Sequence, residues 1–148
     1  MVIRLSVRTL VDLDALEVGA ALHLIRITAA VSILTPAGWS PAREGILDTG
    51  NPVSLIPQSA WAGATVEFLG ARSRAIHGLG STEQTAIRGR LGRLVLSIGD
   101  EQALSPAIET IAYLLDDDRA PLLLGCEGIL TRATLNANLG ARQAFLEF

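Results

Sequence analysis

The residues of this sequence best suited to chemistry are Asp48, Thr49 and Gly50, which directly follow an aliphatic pair. An aspartate carboxylate can accept or donate a proton. Aspartate and glycine are also common turn formers, but a turn that only reverses the chain has no need of an aliphatic approach such as Ile46 and Leu47. Two interpretations therefore remain open. The turn is either an ordinary exposed one, or it holds the Asp48 carboxylate in a chosen place.

The composition excludes several other kinds of site. All twelve basic residues are arginine, so the chain has no ε-amine for a P-loop, a Schiff base or a kinase-type phosphate site. Cys126 is the single cysteine, which excludes an intrachain disulfide and a cysteine zinc site. His23 and His77 are too few for a histidine metal cluster. A net charge of −3, without a basic and aromatic stripe, argues against nucleic acid as a partner.

The elements that must position Asp48 are expected to be short strands in one domain spanning residues 1–148. Short apolar runs bounded by Gly, Pro and Asn favour strands and turns over long helices. One strand is predicted to end at the Asp48 turn, and residues 36–41 are predicted to form a loop. The other predicted strands are residues 2–7, 22–34, 65–69, 73–77, 90–100 and 108–115, with a closing hairpin within residues 133–148.

Two short helices are expected. Residues 12–21 begin with a capping acid, Asp12, and Gly19 limits the length of the helix. Residues 126–133 can form one or two turns after Gly125. The chain is 49% hydrophobic but only 4% aromatic, so its core must be aliphatic, and the apolar fraction is high for a soluble domain. A surface hidden in a homodimer would account for that excess.

No segment suits a signal peptide or a membrane span. The N-terminal residues carry scattered charges in place of an uninterrupted apolar core. The longest uncharged stretch, residues 27–42, contains Pro36, Gly38 and Pro41 and is too short to cross a bilayer. We therefore expect a cytoplasmic protein without a membrane partner.

The sequence Ile46-Leu47-Asp48-Thr49-Gly50 resembles the active-site turn of the retropepsin-like aspartic proteases. That family also has a hydrophobic-hydrophobic-glycine segment before a short C-terminal helix, which residues 122–125 and the run after them match. Between these motifs the family places a glycine-bearing hairpin, the flap. The residues at that position are His77, Gly78, Leu79, Gly80, Ser81 and Thr82. The resemblance covers the chain from about residue 22 to its end.

This resemblance implies an all-β fold: a single-lobe, closed acid-protease barrel with one short C-terminal helix, assembled as a homodimer. It implies an aspartic endopeptidase that hydrolyses extended polypeptides with a water molecule and needs no cofactor and no metal. Two Asp48 carboxylates about 3 Å apart would share one proton, one acting as general base and the other as general acid. Thr49 and Gly50 would hold the turn, and residues 77–82 would bind the substrate.

The mechanism needs two aspartates, whereas the sequence has a single Asp-Thr-Gly. The acids of residues 116–118 lack a similar turn and are predicted to form a solvated loop. The second Asp48 must then come from another copy on a two-fold axis. Residues 143–148 are the expected dimer element. Gly50 is expected to let backbone N–H groups reach the carboxylate, and Gly125 to let the second apolar strand pass beneath the turn.

The sequence departs from the family directly after the glycine, where Asn51 and Pro52 replace the usual small residues. An amide donor from Asn51 would favour the ionised carboxylate and shift the pH range of the dyad. The departure keeps open a non-proteolytic dimeric module that retains the fold and binds peptides or proteins. A third interpretation is an unrelated barrel, monomeric, with Asp48 in open solvent. Cys126 could pair with a histidine as a nucleophile or simply fill an apolar position.

Overall fold

The computed structural model describes residues 1–76 and 85–148 and is mostly β, as predicted. Its strands are β1 (Val2–Val11), β2 (His23–Thr35), β3 (Gly38–Trp39), β4 (Arg43–Leu47), β5 (Ser54–Ile56), β6 (Val66–Phe68), β7 (Arg74–Ala75), β8 (Arg88–Gly99), β9 (Ile108–Leu115), β10 (Leu123–Leu124), β11 (Thr134–Asn138) and β12 (Gln143–Glu147). The helices are α1 (Leu13–Glu17), α2 (Gln58–Trp61) and a turn of π type at Cys126–Leu130. Within these described ranges, no helix has the length and apolar character needed to cross a membrane.

Six strands close into a barrel in the order β2, β4, β10, β5, β9 and β8, and the pairing of β8 with β2 completes the circle. At that closure Val31 lies opposite Ile98. Strands β1, β12 and β11 continue the sheet outward from β2. The short strands β6 and β7 pair with β8, and β3 pairs with β2.

The core inside the barrel is aliphatic, as the low aromatic content predicts. Alternate residues of β2, β8 and β9 point inward because successive side chains of a strand face opposite sides. Each fully buried Val, Leu or Ile side chain contributes roughly 1.5–3 kcal/mol. The largest fully buried side chains include Ile33, Ile56, Leu96, Ile98, Leu114, Leu124 and Ile129.

Strand β10 lies between β4 and β5, although β4 and β5 are neighbours in the sequence. It pairs in parallel with β4, with Leu123 opposite Ile46, and antiparallel with β5, with Leu123 opposite Leu55. Residues 48–53, which connect β4 to β5, must therefore pass across the end of β10. This arrangement fixes the position of the Asp48 turn.

Most predicted strands are confirmed, with corrected lengths. Strand β1 continues to Val11 rather than ending at residue 7, and β2 is one strand that pairs in turn with β1, β4 and β8. The predicted loop at residues 36–41 contains β3, which folds back onto the end of β2. Helix α1 begins after Asp12, whose Oδ1 accepts a hydrogen bond from the Ala15 N–H at 3.0 Å, as the capping prediction requires.

The structure of the C-terminal region bears on two expectations. The terminal strand β12 lies between β11 and β1, with Leu146 fully buried, so it offers no free edge to a second copy. The predicted C-terminal helix is only one irregular turn. Its regular geometry is interrupted because Glu127 (ψ 129°) and Gly128 (φ 75°) have non-helical dihedral angles.

Candidate functional site

Asp48 stands directly after β4 and is half-buried. Its N–H donates to the Leu124 carbonyl at 2.9 Å, which extends the parallel pairing of β4 with β10 by one residue. Side chains alternate along a strand, so Asp48 follows Ile46 onto the face opposite to the buried Leu47. The carboxylate therefore projects from a strand end fixed on the barrel, not from an isolated loop in open solvent.

The carboxylate of Asp48 accepts a single hydrogen bond from the described residues. The Gly50 N–H donates to Asp48 Oδ1 at 3.0 Å, and no other hydrogen bond reaches this carboxylate from residues 1–76 or 85–148. The Thr49 side chain is exposed, and its hydroxyl has no hydrogen-bond partner in those same ranges. Among the described residues, one carboxylate oxygen and the threonine hydroxyl thus have no hydrogen-bond partner.

The unusual residues Asn51 and Pro52 have a structural explanation. The Asn51 carbonyl accepts a hydrogen bond from the Cys126 N–H at 2.9 Å, and the Pro52 carbonyl accepts one from the Glu127 N–H at 2.9 Å. Asn51 Oδ1 accepts from the Val53 N–H at 3.4 Å. The Asn51 backbone N–H donates to the Asp48 carbonyl at 3.3 Å. In the described residues the Asn51 side-chain amide does not bond to the Asp48 carboxylate, so the expected shift of the pH range has no contact to support it.

Gly125 provides the close approach that the sequence predicts. A Cβ atom at this position would lie 2.5 Å from the Val53 carbonyl carbon and 2.8 Å from both the Asn51 oxygen and the Ser54 nitrogen. All three atoms belong to the backbone and cannot rotate away. The Gly125 N–H donates to Oγ of the fully buried Ser54 at 3.0 Å. Only glycine lets the end of β10 pack this tightly beneath the turn.

Gly50 differs from the prediction. A Cβ atom at this position would meet only Asp48 Oδ1, at 3.4 Å, which is an ordinary van der Waals distance. Its φ also lies outside the left-handed region. The single chain therefore has no steric requirement for glycine at residue 50, and a side chain there would not block the turn.

The segment after Gly125 is anchored both to β9 and to the turn. The buried Thr110 hydroxyl donates to the Glu127 carbonyl at 2.8 Å, and Gly128 packs against Thr110 too closely for a Cβ atom. The half-buried Cys126 thiol donates to the Thr49 carbonyl at 3.5 Å. The described partner of Cys126 is thus the Asp48 turn rather than a histidine.

A second apolar cluster lies on the face of the strands to which Asp48 belongs. It is built on Leu55 and Leu115, and the half-buried Leu123, Ile76 and Ile87 pack against it. The Ile76 N–H donates to the Ile87 carbonyl at 2.8 Å, which holds these two residues next to each other. The expected flap residues, 77–82, lie outside the described residues, so the flap stays a prediction.

The acidic run at residues 116–118 serves the structure. Asp116 accepts a hydrogen bond from the Ser73 hydroxyl, and Asp118 accepts one from the Ser59 N–H at 2.8 Å. The side-chain hydrogen bond from Arg119 lowers the pKa of Asp117 below its ordinary value. Across the two described ranges, no three His, Cys, Asp or Glu side chains are grouped so that they could hold a metal ion.

A groove of the single chain lies away from the Asp48 turn. It has a volume of about 490 Å³ and is lined by β1, β2 and the turn at residues 99–102. Comparison of the chain with protein-family models, with curated proteins and with solved structures gives no match. The functional interpretation therefore depends on the geometry around Asp48 and on the sequence motifs.

Proposed function

We propose that this chain is an aspartic endopeptidase whose active site forms on a two-fold axis between two copies, each supplying Asp48. The observation that carries the proposal is the insertion of β10 between β4 and β5, with Gly125 packed against the backbone of residues 51–54. This packing fixes the strand end that bears Asp48 and leaves one carboxylate oxygen without a partner in the described chain.

The proposed chemistry uses both carboxylates. One Asp48 takes a proton from water as the water oxygen bonds to the peptide carbonyl carbon, and the protonated Asp48 of the partner subunit donates to the carbonyl oxygen. The C–N bond then breaks as its nitrogen is protonated, giving a carboxyl group and an amine. The acids of residues 116–118 are engaged with their own neighbours, which favours a second Asp48 as the other carboxylate.

Thr49 and Gly50 have roles in this proposal that a single chain does not use. The Thr49 hydroxyl, which has no hydrogen-bond partner among the described residues, can donate to the partner's equivalent turn, as the family resemblance implies. The space around Gly50 is open in one chain, so a glycine there suits the close approach of a second backbone. Both residues thus fit a site that is incomplete until a second copy binds.

The substrate is proposed to be an extended polypeptide with apolar side chains around the cleaved bond. The face that carries Asp48 also presents the half-buried Ile46, Leu123, Ile76 and Ile87. Extended peptides bind such sites through backbone hydrogen bonds, like an added strand, with apolar side chains in the adjacent pockets. Residues 77–82 are proposed to cover the bound segment.

The test compares Asp48→Asn with Glu101→Gln, an acid-to-amide change at an exposed residue outside the proposed site. Unfolded casein serves as the substrate, and mass spectrometry identifies the fragments. Asp48→Asn should lower the cleavage rate by roughly three orders of magnitude or more. Its circular dichroism and sedimentation should match the wild type, and Glu101→Gln should cleave normally. Near-wild-type cleavage by Asp48→Asn would refute the assignment.

The same wild-type and Asp48→Asn proteins distinguish the proposed peptidase from a non-proteolytic binding module. Pepstatin mimics the tetrahedral transition state, so it should inhibit cleavage by the wild type and raise its melting temperature. The melting temperature of Asp48→Asn should rise much less. Binding of casein peptides without any fragments, across the acidic and neutral pH range, would instead support the binding module.

A further inference from the structure

Arg26 stands on β2 beside the strand end that carries Asp48. Thr28 of β2 lies opposite Ile46 of β4, so continuing this antiparallel register by two residues places Arg26 at the level of Asp48. Neighbouring strands of a sheet lie about 4.8 Å apart. The arginine and the carboxylate therefore belong to adjacent strand positions at the same end of the barrel.

A side-chain contact shows that these two residues share one face of the sheet. The Thr28 hydroxyl lies 3.5 Å from Glu44 Oε2, so Thr28 and Glu44 are on the same face. Alternate residues of a strand face the same side. Asp48 is four residues beyond Glu44, and Arg26 is two residues before Thr28. Arg26 is thus on the face that Asp48 and the half-buried Ile46 occupy.

The charge of Arg26 is uncompensated in the described chain, unlike that of its neighbour Arg8. Arg8 of β1 lies opposite Arg26, and its Nη2 atom is 2.6 Å from Glu44 Oε2. The Arg26 side chain is exposed and makes no ion pair or hydrogen bond with any residue that the structure describes. The Glu44 carboxylate thus neutralises Arg8, whereas Arg26 has no described counter-charge.

The proposed dimer brings two copies of Arg26 to the active site. A two-fold axis that joins the Asp48 carboxylates also brings together the residues at their level on the adjacent strands. The two carboxylates share one proton and carry one negative charge between them. The two guanidinium groups carry two positive charges, because arginine stays protonated in proteins. These four side chains together keep one positive charge, which an anionic group of the substrate would neutralise.

The spacing places this anionic group close to the cleaved bond. An extended peptide advances about 3.3 Å per residue. The offset of one strand, about 4.8 Å, and the length of an arginine side chain together span about three residues of such a peptide. The two copies of Arg26 lie on opposite sides of the two-fold axis. A peptide that crosses the axis therefore meets one guanidinium group on each side of its cleaved bond.

We propose that Arg26 is a specificity-determining residue that binds an aspartate or glutamate side chain of the substrate, within about three residues of the cleaved bond. The proposal rests on the dimeric peptidase proposed above. A guanidinium group binds a carboxylate through two parallel hydrogen bonds, which distinguishes the carboxylate from a neutral amide of the same shape. The preferred substrate then has apolar side chains at the cleaved bond and an acid on either side of them.

Synthetic peptides test this charge preference. Each has a central leucine–phenylalanine bond, and glutamate, glutamine or arginine is placed in turn at the three positions on either side. For the wild type, kcat/KM should be about five- to tenfold higher with glutamate than with glutamine at the best position on each side. Arg26→Gln should abolish this difference. Arg26→Glu should reverse it, so that the arginine peptides become the preferred ones.

The matched control is Arg4→Gln, which removes the same charge from an exposed arginine of β1 that also lacks an ion pair among the described residues. It should keep the wild-type preference, which separates a local contact from an effect of net charge. A damaged fold would slow the cleavage of all peptides and cannot produce the reversal. Equal kcat/KM for the glutamate and glutamine peptides at every position would overturn the proposal, as would an unchanged preference in Arg26→Gln.

Peptide binding separates this inference from the proposed function. Fluorescence anisotropy measures the binding of labelled glutamate and glutamine peptides to Asp48→Asn, with and without Arg26→Gln. Cleavage of casein by the wild type, without a glutamate preference in peptide cleavage or binding, refutes the role of Arg26 and leaves the peptidase standing. A glutamate preference in binding that depends on Arg26, without cleavage of casein or of any peptide, supports Arg26 as the contact for acidic peptides and refutes the peptidase. The absence of both cleavage and preference refutes both proposals.

Discussion

The outer part of the β1–β2 hairpin, together with α1, forms an arm of residues 8–26. The Asp48 turn and the arm lie at the same end of the barrel but are supported in opposite ways. Beneath the turn, β10 and Gly125 pack against the backbone of residues 51–54, and the buried Ser54 satisfies the Gly125 N–H. The arm has complete strand pairing between β1 and β2 and a capped helix, yet not one of its residues is buried. Regular hydrogen bonding alone therefore does not distinguish a braced region from an unbraced one.

This difference separates two sources of stabilisation. The turn is held by burial within one chain, so its geometry should survive in a monomer. The arm exposes apolar side chains whose burial would each contribute only when a partner covers them. We expect substitutions beneath the turn to lower the free energy of unfolding strongly, and substitutions in the arm to leave it nearly unchanged in the monomer.

The largest effect is expected from Gly125→Ala, with Gly50→Ala as its matched control. The new Cβ atom at residue 125 would overlap backbone atoms 2.5–2.8 Å away, and we expect a loss of about 3 kcal/mol or more in the free energy of unfolding. The Cβ atom at residue 50 meets one carboxylate oxygen at 3.4 Å, so its cost should stay within about 0.5 kcal/mol. Urea unfolding at a fixed, low protein concentration measures both.

Equal losses for these two glycine variants would show that the turn is not braced from beneath. The Gly50→Ala protein has a second use. If it unfolds like the wild type but fails to dimerise or cleave, glycine at residue 50 is required between subunits and not within one. Normal dimers and normal cleavage would remove Gly50 from the proposed site.

The sequence predicts the braced region better than the arm. The Asp48 turn, the Leu-Leu-Gly segment and the tight packing at Gly125 are recognisable because each depends on residue types that few other positions tolerate. The insertion of β10 between β4 and β5 joins residues far apart in the chain, so periodicity cannot reveal it. The arm is missed because its strands show the same apolar alternation as buried ones. Whether such a strand is buried depends on the elements that pack against it, which its own sequence pattern does not show.

A smaller effect is expected in the arm from Asp12→Ala, which removes the cap of α1. The lost hydrogen bond to the Ala15 N–H should destabilise α1 by about 1 kcal/mol. Hydrogen exchange of the amides of residues 15–17 should accelerate, while the urea midpoint of the monomer stays nearly constant because α1 contributes nothing to the core. Asp14→Ala, which removes a first-turn acid without a described hydrogen bond, should accelerate exchange less. If Asp12→Ala lowered the free energy of global unfolding as much as it destabilises α1, the arm would fold as part of the barrel.

The smallest effect is expected at Asp100, which braces the barrel end of the strand that continues into the arm. Its carboxylate accepts hydrogen bonds from the backbone N–H of Arg4 on β1, at 2.7 Å, and from the N–H groups of Gln102 and Ala103. These bonds, with that from Arg4 the strongest, lower the pKa of Asp100 below its ordinary value of 3.8. Because the folded-state pKa is the lower one, the carboxylate stabilises the fold above pH 3.8, and this contribution disappears as the pH falls through the folded-state pKa.

Asp100→Asn should therefore unfold at a lower urea concentration than the wild type at neutral pH, and the two midpoints should converge in acid. If the difference in urea midpoint between Asp100→Asn and the wild type stayed constant with pH, β1 would be held at this point by packing rather than by the ionised carboxylate.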